Sequence, residues 1–315
     1  MEKILITDYG FKNIDQETNL LQSSGFGIEA AQCKTPEDVI EKGLDSVGLL
    51  VQWAPVNRKV IEQLKNCRAI VRYGIGVDNV DLQAAKEKGI VVCNVPDYCV
   101  AEVADHTVSL ALSLARQLAG THERMKKGIW KITPPLPMPS FKDMTFSTIG
   151  YGRIAREVLN RAAVFHFSRA AYDPYVDAAT MEKCGVKKLS FEDVIEQSHI
   201  ISLHLPLTAE TLHIINDKTL ARMKEGAVLV NTSRGALIDT EALATVLQSC
   251  RLFAGLDVFE EEPLPADHPL YQCHNAILTS HTAWYSERSV PTLQCMAAEE
   301  LVRALTGGTV KNRVV

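Results

Sequence analysis

The chain is expected to fold as an α/β protein with two doubly wound parallel-sheet domains. Three observations carry this expectation. Short runs rich in Ile, Val and Leu alternate with amphipathic stretches from the start of the chain. The alternation stops at a long apolar segment near residue 100 and begins again at Met144. At 315 residues there is room for two cores of ordinary size.

KILITD, GIEAA, VGLLVQ, AIVRYG and IVVCNV read as the strands of the first series, with NRKVIEQLKN and NVDLQAAKEKG as helices between them. Short buried strands alternating with helices imply a parallel sheet covered on both faces. Residues 99 to about 119 are apolar on nearly all sides, which predicts a helix buried all round that leads out of the first domain. The run TPPLPMPS at 133–140 is too rich in proline for a helix or a central strand and is expected to loop over the surface. TFSTIG, SRAAYD, HIISLHL, AVLVN, LFAGLDV and AILTS supply the second series. Ser147, Thr148 and Arg169 are polar for buried strands, which places them at strand ends. A last helix over about 286–305 stops at Gly307-Gly308 with no strand after it. It can therefore pack back on the first domain and make that domain discontinuous.

Composition narrows the function. A hydrophobic content of 46% with 23% charged residues fits a globular protein with a substantial core. The net charge of -5 gives no electrostatic case for nucleic acid or membrane binding. The start, MEKILITDYG, reads as no signal peptide because its short apolar run ends in Asp8. The longest apolar stretch is too short to span a bilayer and carries Arg116. The 8 cysteines show no CxxC or clustered Cys/His spacing. That argues for reduced thiols in the cytoplasm and against a metal site.

Two constellations carry chemistry. The first is Gly150-Tyr-Gly152-Arg-Ile-Ala155, which follows a strand and opens a helix. Asp173 closes the next strand about 20 residues on, as a dinucleotide fingerprint requires. Gly150 permits the tight turn, and Gly152 lets a pyrophosphate approach the helix N-terminus. Asp173 can accept from both ribose hydroxyls and would repel a 2′-phosphate, so NAD is favoured over NADP. The backbone of His204 and Pro206, at the end of HIISLHLPL, would line the cofactor. Asp257, ending FAGLDV, could accept the carboxamide of its nicotinamide.

The second constellation is Arg234, Glu262 and His281, each just past an apolar run. An arginine can clamp a carboxylate. A histidine can protonate a carbonyl oxygen near neutral pH, and a glutamate beside it would hold it charged and oriented. In a doubly wound sheet, ligands bind at the carboxyl ends of the strands, so one cleft could collect all three.

GYGRIA…YDP, LVNTSRGALID, GLDVFEEEP and SHTAW together resemble the D-isomer-specific 2-hydroxyacid dehydrogenase family, over essentially the whole chain. HTAWYSERS resembles most the branch of carboxy-terminal-binding-protein-like dehydrogenases. The resemblance implies a flavodoxin-like substrate domain at 1–98 and 286–315, a Rossmann NAD domain at 99–285, and a cleft between them. It implies Arg234 as the substrate binder, His281 as proton donor and Glu262 as its partner. Formate dehydrogenases of this fold carry Gln at the Glu262 position, so formate is disfavoured. Arg153, Ile154, Asp173, Thr232 and Asp257 match NAD contacts, and Thr211 and Ser233 are assigned with them. Backbone amides of Tyr73, Gly74, Ile75, Gly76 and Val77 would hold the substrate carboxylate. Arg72 and Trp284 match substrate-pocket residues of the branch. The activity implied is hydride transfer between NAD(H) and a D-2-hydroxy acid or 2-oxo acid. A homodimer through the nucleotide domain is implied too, with residues 100–118 as contributors. Two alternatives stand beside this: an NAD(H)-sensing scaffold with vestigial catalysis, and a reductase for phosphoglycerate or hydroxypyruvate.

Overall fold

The computed structural model describes residues 1–134 and 137–315. By its internal contacts the chain forms two compact units, Met1–Cys99 with Tyr285–Val315, and Val100–Trp284.

The first unit is built on a five-stranded, all-parallel sheet. Its strands are β1 (Lys3–Ile6), β2 (Gly27–Ala30), β3 (Ser46–Val51), β4 (Ala69–Arg72) and β5 (Val91–Cys93). The order β2-β1-β3-β4-β5 is the flavodoxin-like one. β3 is buried at every position, as a central parallel strand with helices on both faces must be. The Ser289–Leu305 helix packs on β3 and β4, burying Leu293, Ala297, Ala298, Leu301 and Leu305. Gly48 of β3 makes room for it, because a methyl there would lie 3.0 Å from both Leu301 and Leu305.

The end of the chain is tied down by one carboxylate. Glu300 is 1% exposed. It accepts the amides of Lys311 (2.6 Å) and Asn312 (2.8 Å) and pairs with Arg303 at 2.6 Å. Arg313 then bridges Cys93 in antiparallel sense, and Val314 donates to Val92 at 2.7 Å, covering the open edge of β5.

The second unit has seven parallel strands in the order β12-β11-β10-β9-β6-β7-β8. They are β6 (Thr145–Ile149), β7 (Ser168–Tyr172), β8 (Lys187–Lys188), β9 (Ile200–Leu203), β10 (Val228–Asn231), β11 (Phe253–Leu256) and β12 (Ala276–Leu278). The order reverses at β6, so the crevice at the carboxyl ends of β6 and β9 is the switch point where doubly wound sheets bind ligands. The short edge strand β8 was not expected from its sequence. Arg169 does sit near the start of β7, but Ser147 and Thr148 are fully buried inside β6 rather than at its end. Ser147 is tolerated because Ser198 donates to its hydroxyl at 2.6 Å.

The apolar segment after residue 99 differs from the expectation. It is helical over Val100–Ala115, turns through a left-handed Gln117, and resumes as Leu118–Lys126. Only one face is buried: Ala104, Val108, Leu110, Ala111 and Leu114 fill the core of their own unit. Gly255 of β11 admits them, since a methyl there would lie 3.0 Å from Leu110. Of the proline-rich run, Pro135 and Leu136 lie outside the described residues, and the rest is neither helix nor strand.

Glu300→Ala is expected to cost about 3 kcal/mol at neutral pH, because Arg303 and two amides lose their acceptor. Burial alone would raise the Glu300 pKa, but the Asn312 and Lys311 amides and Arg303 outweigh it and hold the group below the ordinary value. Its stabilisation is therefore complete above the ordinary glutamate pKa of about 4.3 and fades as pH falls through the lower folded value. Urea unfolding of both proteins across that range checks this. A constant difference between them from neutral to strongly acidic pH would contradict it.

Candidate functional site

β6 ends in the glycine turn. Gly150 has φ 97, and a methyl on it would fall 2.3 Å from the His204 carbonyl oxygen. Both the left-handed backbone and the approach to the end of β9 therefore require glycine. Gly152 is a different case. Its φ of -76 is open to any residue, and among the described residues no atom lies within 4 Å of where its Cβ would be. The fold does not need a glycine there; a ligand lying against the backbone does. The Arg153–Val164 helix starts at Gly152 with no side-chain cap, leaving its N-terminus to an anion. Ala155 is fully buried against the sheet. These features fit a dinucleotide.

Asp173, just past β7, accepts the amides of Tyr151 and Tyr175, each at 2.9 Å. It thus fixes the glycine turn, and each oxygen keeps lone-pair capacity for ribose hydroxyls. Burial pushes the His204 pKa down to about 3, so its ring is neutral, and Nε2 sits 2.9 Å from the Ser202 hydroxyl. Pro206 is exposed, and Thr211 donates to its carbonyl at 2.7 Å, closing that loop.

The loop after β10 carries Thr232, Ser233 and Arg234. Asn231, fully buried, shapes it by donating to the Arg234 carbonyl (2.7 Å) and accepting the Ser233 amide (3.0 Å). Ser233 donates to the Leu203 carbonyl at 2.6 Å, joining the ends of β10 and β9. Thr232 lies 2.8 Å from the Thr107 hydroxyl. Arg234 is half-buried and donates to the Ser233 carbonyl at 2.6 Å. Gly235 comes next, with the backbone of Phe259 and Glu260 pressed onto it, leaving no space for a Cβ. That contact sets the Arg234 loop against the loop of Glu262. On its far side the Glu262 loop is clamped by Glu260, which pairs with His213 and accepts the Thr240 amide.

His281 Nδ1 lies 2.6 Å from Glu262 Oε2, and Glu262 Oε1 accepts the Phe259 amide at 3.0 Å. Burial would raise the Glu262 pKa; the His281 hydrogen bond and charge, the Phe259 amide and Arg234 outweigh it and lower it. Glu262 is therefore a carboxylate at neutral pH, and Nδ1 of His281 donates to it. Nε2 of His281 makes no hydrogen bond among the described residues. The His281 backbone is left-handed, φ 54, a strained conformation for a non-glycine residue.

Asp257 holds that strain in place. It is 1% exposed and accepts the amides of Thr282 and Ala283, each at 2.9 Å, and the Thr279 hydroxyl. Its own carbonyl accepts the His281 amide at 2.8 Å. The sequence pointed to Asp257 as a nicotinamide contact; in the fold it organises the His281 loop. Trp284, half-buried, ends the unit.

In the first unit, Arg72 ends β4 and its guanidinium passes beside Gly74, where a methyl would lie 1.7 Å from Nη1. Two of the five expected carboxylate-binding amides are already committed. Tyr73 donates its amide to Val51 and Gly74 donates to Arg72, both at 2.8 Å. The Tyr73 ring is buried, with its hydroxyl donating to Glu17 at 3.0 Å. This corrects the expectation to Ile75, Gly76 and Val77, whose amides have no acceptor among the described residues.

Sequence reasoning did not single out Asn231, Thr107 or Thr279. Asn231 gave a signal, an amide side chain closing a continuous apolar strand; the two threonines gave none.

The two glycines predict opposite outcomes. Gly150→Ala is expected to destabilise the fold by about 2 kcal/mol or more, from the positive φ and the clash. Gly152→Ala should leave thermal unfolding unchanged. Equal melting temperatures for the two variants would contradict this.

The family model described as D-isomer specific 2-hydroxyacid dehydrogenase, NAD binding domain, matches residues 108–283. A D-3-phosphoglycerate dehydrogenase of Methanocaldococcus jannaschii is 36% identical over 322 residues, covering 100% of this chain; the chain spans 59% of that relative's length. A glyoxylate reductase from Paecilomyes thermophila superposes with TM-score 0.89 at 29% identity, covering 100% of this chain and 98% of the other. A D-lactate dehydrogenase from Aquifex aeolicus, solved with NAD and lactic acid, gives TM-score 0.88 at 25% identity over 99% of each chain. The match over most of the second unit, on a sheet whose glycine turn and strand-end loops have the geometry described, makes the chain a member of the D-isomer specific 2-hydroxyacid dehydrogenase family.

Proposed function

We propose that this chain is an NAD-dependent oxidoreductase that interconverts a D-2-hydroxy acid and its 2-oxo acid. The observation that carries the reading is the His281–Glu262 pair, with Arg234 near enough to lower the Glu262 pKa, on the sheet that also presents the Gly150 turn. The dinucleotide would lie along Gly150, Gly152, Arg153 and Ile154. Asp173 would accept from its ribose, and its charge disfavours a 2′-phosphate. His204, Pro206, Thr211, Thr232 and Ser233 would line its path. When bound, NADH supplies the hydride that C2 of the 2-oxo acid receives.

The chain's own residues do the rest. Arg234 offers a guanidinium to the substrate's carboxylate and carbonyl oxygens. His281 delivers a proton from Nε2 to the oxygen on C2. Its Nδ1–H stays on the Glu262 carboxylate, which keeps Nε2 turned outward for the transfer. In the reverse direction His281 takes the hydroxyl proton. In the first unit, Arg72 and the amides of Ile75, Gly76 and Val77 are the candidates for holding a carboxylate. A glyoxylate reductase and a D-lactate dehydrogenase among the structural neighbours support a small 2-oxo acid. The identity to a D-3-phosphoglycerate dehydrogenase favours, as a second reading, a phosphorylated 2-oxo acid.

Exposed apolar side chains support a homodimer through the second unit. Because the inner face of the Val100–Ala115 helix is spent on its own core, the contact surface moves to the Leu118–Lys126 helix and the loop after it. Leu118, Met125, Ile129, Trp130 (78% exposed) and Ile132 (91% exposed) are its apolar side chains. The described residues contain no helix long and apolar enough to cross a membrane. Among the described residues none of the 8 cysteines forms a disulfide, which fits a reducing, cytoplasmic compartment.

A panel of 2-oxo acids, including glyoxylate, pyruvate and phosphohydroxypyruvate, assayed with NADH and NADPH by cofactor absorbance, tests the activity. Tight NADH binding without oxidation by any of them would favour a sensor instead. His281→Ala should lower kcat by about 10²- to 10⁴-fold and leave NADH binding intact; near-normal turnover would refute its role. Light scattering should find a dimer, and Trp130→Glu with Ile132→Glu should yield monomers. A monomeric parent protein would remove the assembly proposal.

A further inference from the structure

Two consecutive residues of one helix touch two of the loops that carry the site. Thr107, on the Val100–Ala115 helix, donates its hydroxyl proton to the Val103 carbonyl at 2.7 Å, so its oxygen accepts from Thr232. Thr232 lies two residues before Arg234. Its neighbour His106 has Nε2 3.0 Å from the Thr279 hydroxyl. That hydroxyl has one proton and gives it to Asp257 Oδ1. Its oxygen must therefore accept, which puts the His106 proton on Nε2. Nε2 is 3.7 Å from Asp257 Oδ1, too far for a direct hydrogen bond, so the hydroxyl is the link.

We propose that His106 is a positioning residue for His281, acting through Thr279 and Asp257. The proposal rests on the functional reading given above. A donor at Thr279 leaves its hydroxyl only one useful rotamer, the one aimed at Asp257. Asp257 in turn holds the Thr282 and Ala283 amides and, through its carbonyl, the strained His281 itself. Without the His106 donor the hydroxyl can rotate away. Asp257 then loses a donor, and the left-handed turn at His281 is freer to relax. The expected cost falls on the aim of the His281 ring, since the helix contact lies outside the dinucleotide turn at Gly150.

Kinetics of His106→Leu, His106→Gln and Thr279→Val test this against the parent protein. The Leu and Val variants should lose about 10- to 100-fold in kcat, with the dissociation constant for NADH, read by fluorescence, changed less than about two-fold. His106→Gln, whose amide can donate at the reach of Nε2, should recover most of the rate. A second readout needs no turnover: the low-field proton resonance of His281 Nδ1–H on Glu262 should shift or broaden in the Leu and Val variants and return in the Gln variant. Unchanged rate and resonance in Thr279→Val would overturn the proposal, even if His106→Leu failed to fold. So would a loss in His106→Gln as large as in His106→Leu. No turnover by the parent protein would instead overturn the functional reading, while the resonance would still report on the positioning.

Discussion

The buried carboxylate of Asp257 is the constraint on which the site depends. A carboxylate removed from water must be satisfied by hydrogen bonds or it will not stay charged or buried. Here the donors come from Thr279, Thr282 and Ala283, the residues that flank His281. Satisfying the charge therefore dictates the path of the chain around the histidine, including its left-handed φ. That conformation costs of order 1–2 kcal/mol for a residue with a Cβ. A charge that accepts three hydrogen bonds can hold it, since bonds to ionised groups are worth about 1.5–3 kcal/mol each.

The same logic organises the other strand ends. Asn231 fixes the Arg234 loop with both ends of its amide, and Asp173 fixes the glycine turn with both of its oxygens. At each, a short polar side chain where a buried strand stops meets main-chain groups that have left the ladder. The apolar strands position these side chains, and their hydrogen bonds then position the loops. The close contact of Gly235 with Phe259 and Glu260 joins two such loops through their backbones.

Much of this was legible in the sequence because it depends on period and on residue type. Eleven of the twelve strands lie in runs of Ile, Val, Leu and their neighbours that can be picked out by eye. β8 escaped because two lysines at a sheet edge carry no apolar signal. Ser147 misled because a buried hydroxyl is acceptable when a partner such as Ser198 reaches it, and no local pattern announces that partner; the Thr148 hydroxyl is buried with no hydrogen-bond partner among the described residues. The Val100–Ala115 helix was over-read because composition counts apolar residues but not the face they occupy. In the site, Gly150, Asp173, Arg234, Glu262 and His281 could be named from motifs. The commitment of the Tyr73 and Gly74 amides could not, since it depends on where β4 ends and how the next turn closes.

The energetics separate the groups that hold the site from those that would act in it. His281 and Glu262 are 40% and 36% exposed, so their pair adds at most about 1 kcal/mol to stability. So small a gain does not account for the pair's geometry, whereas the proposed proton transfer needs this arrangement, with Nδ1 anchored and Nε2 open. Asp257 shows the reverse. Its oxygens are taken up by the loop, and it sits too deep to meet water. The site divides into a buried, fully bonded layer that sets direction and a half-exposed layer that is left free to react. His106 sits where the two layers meet.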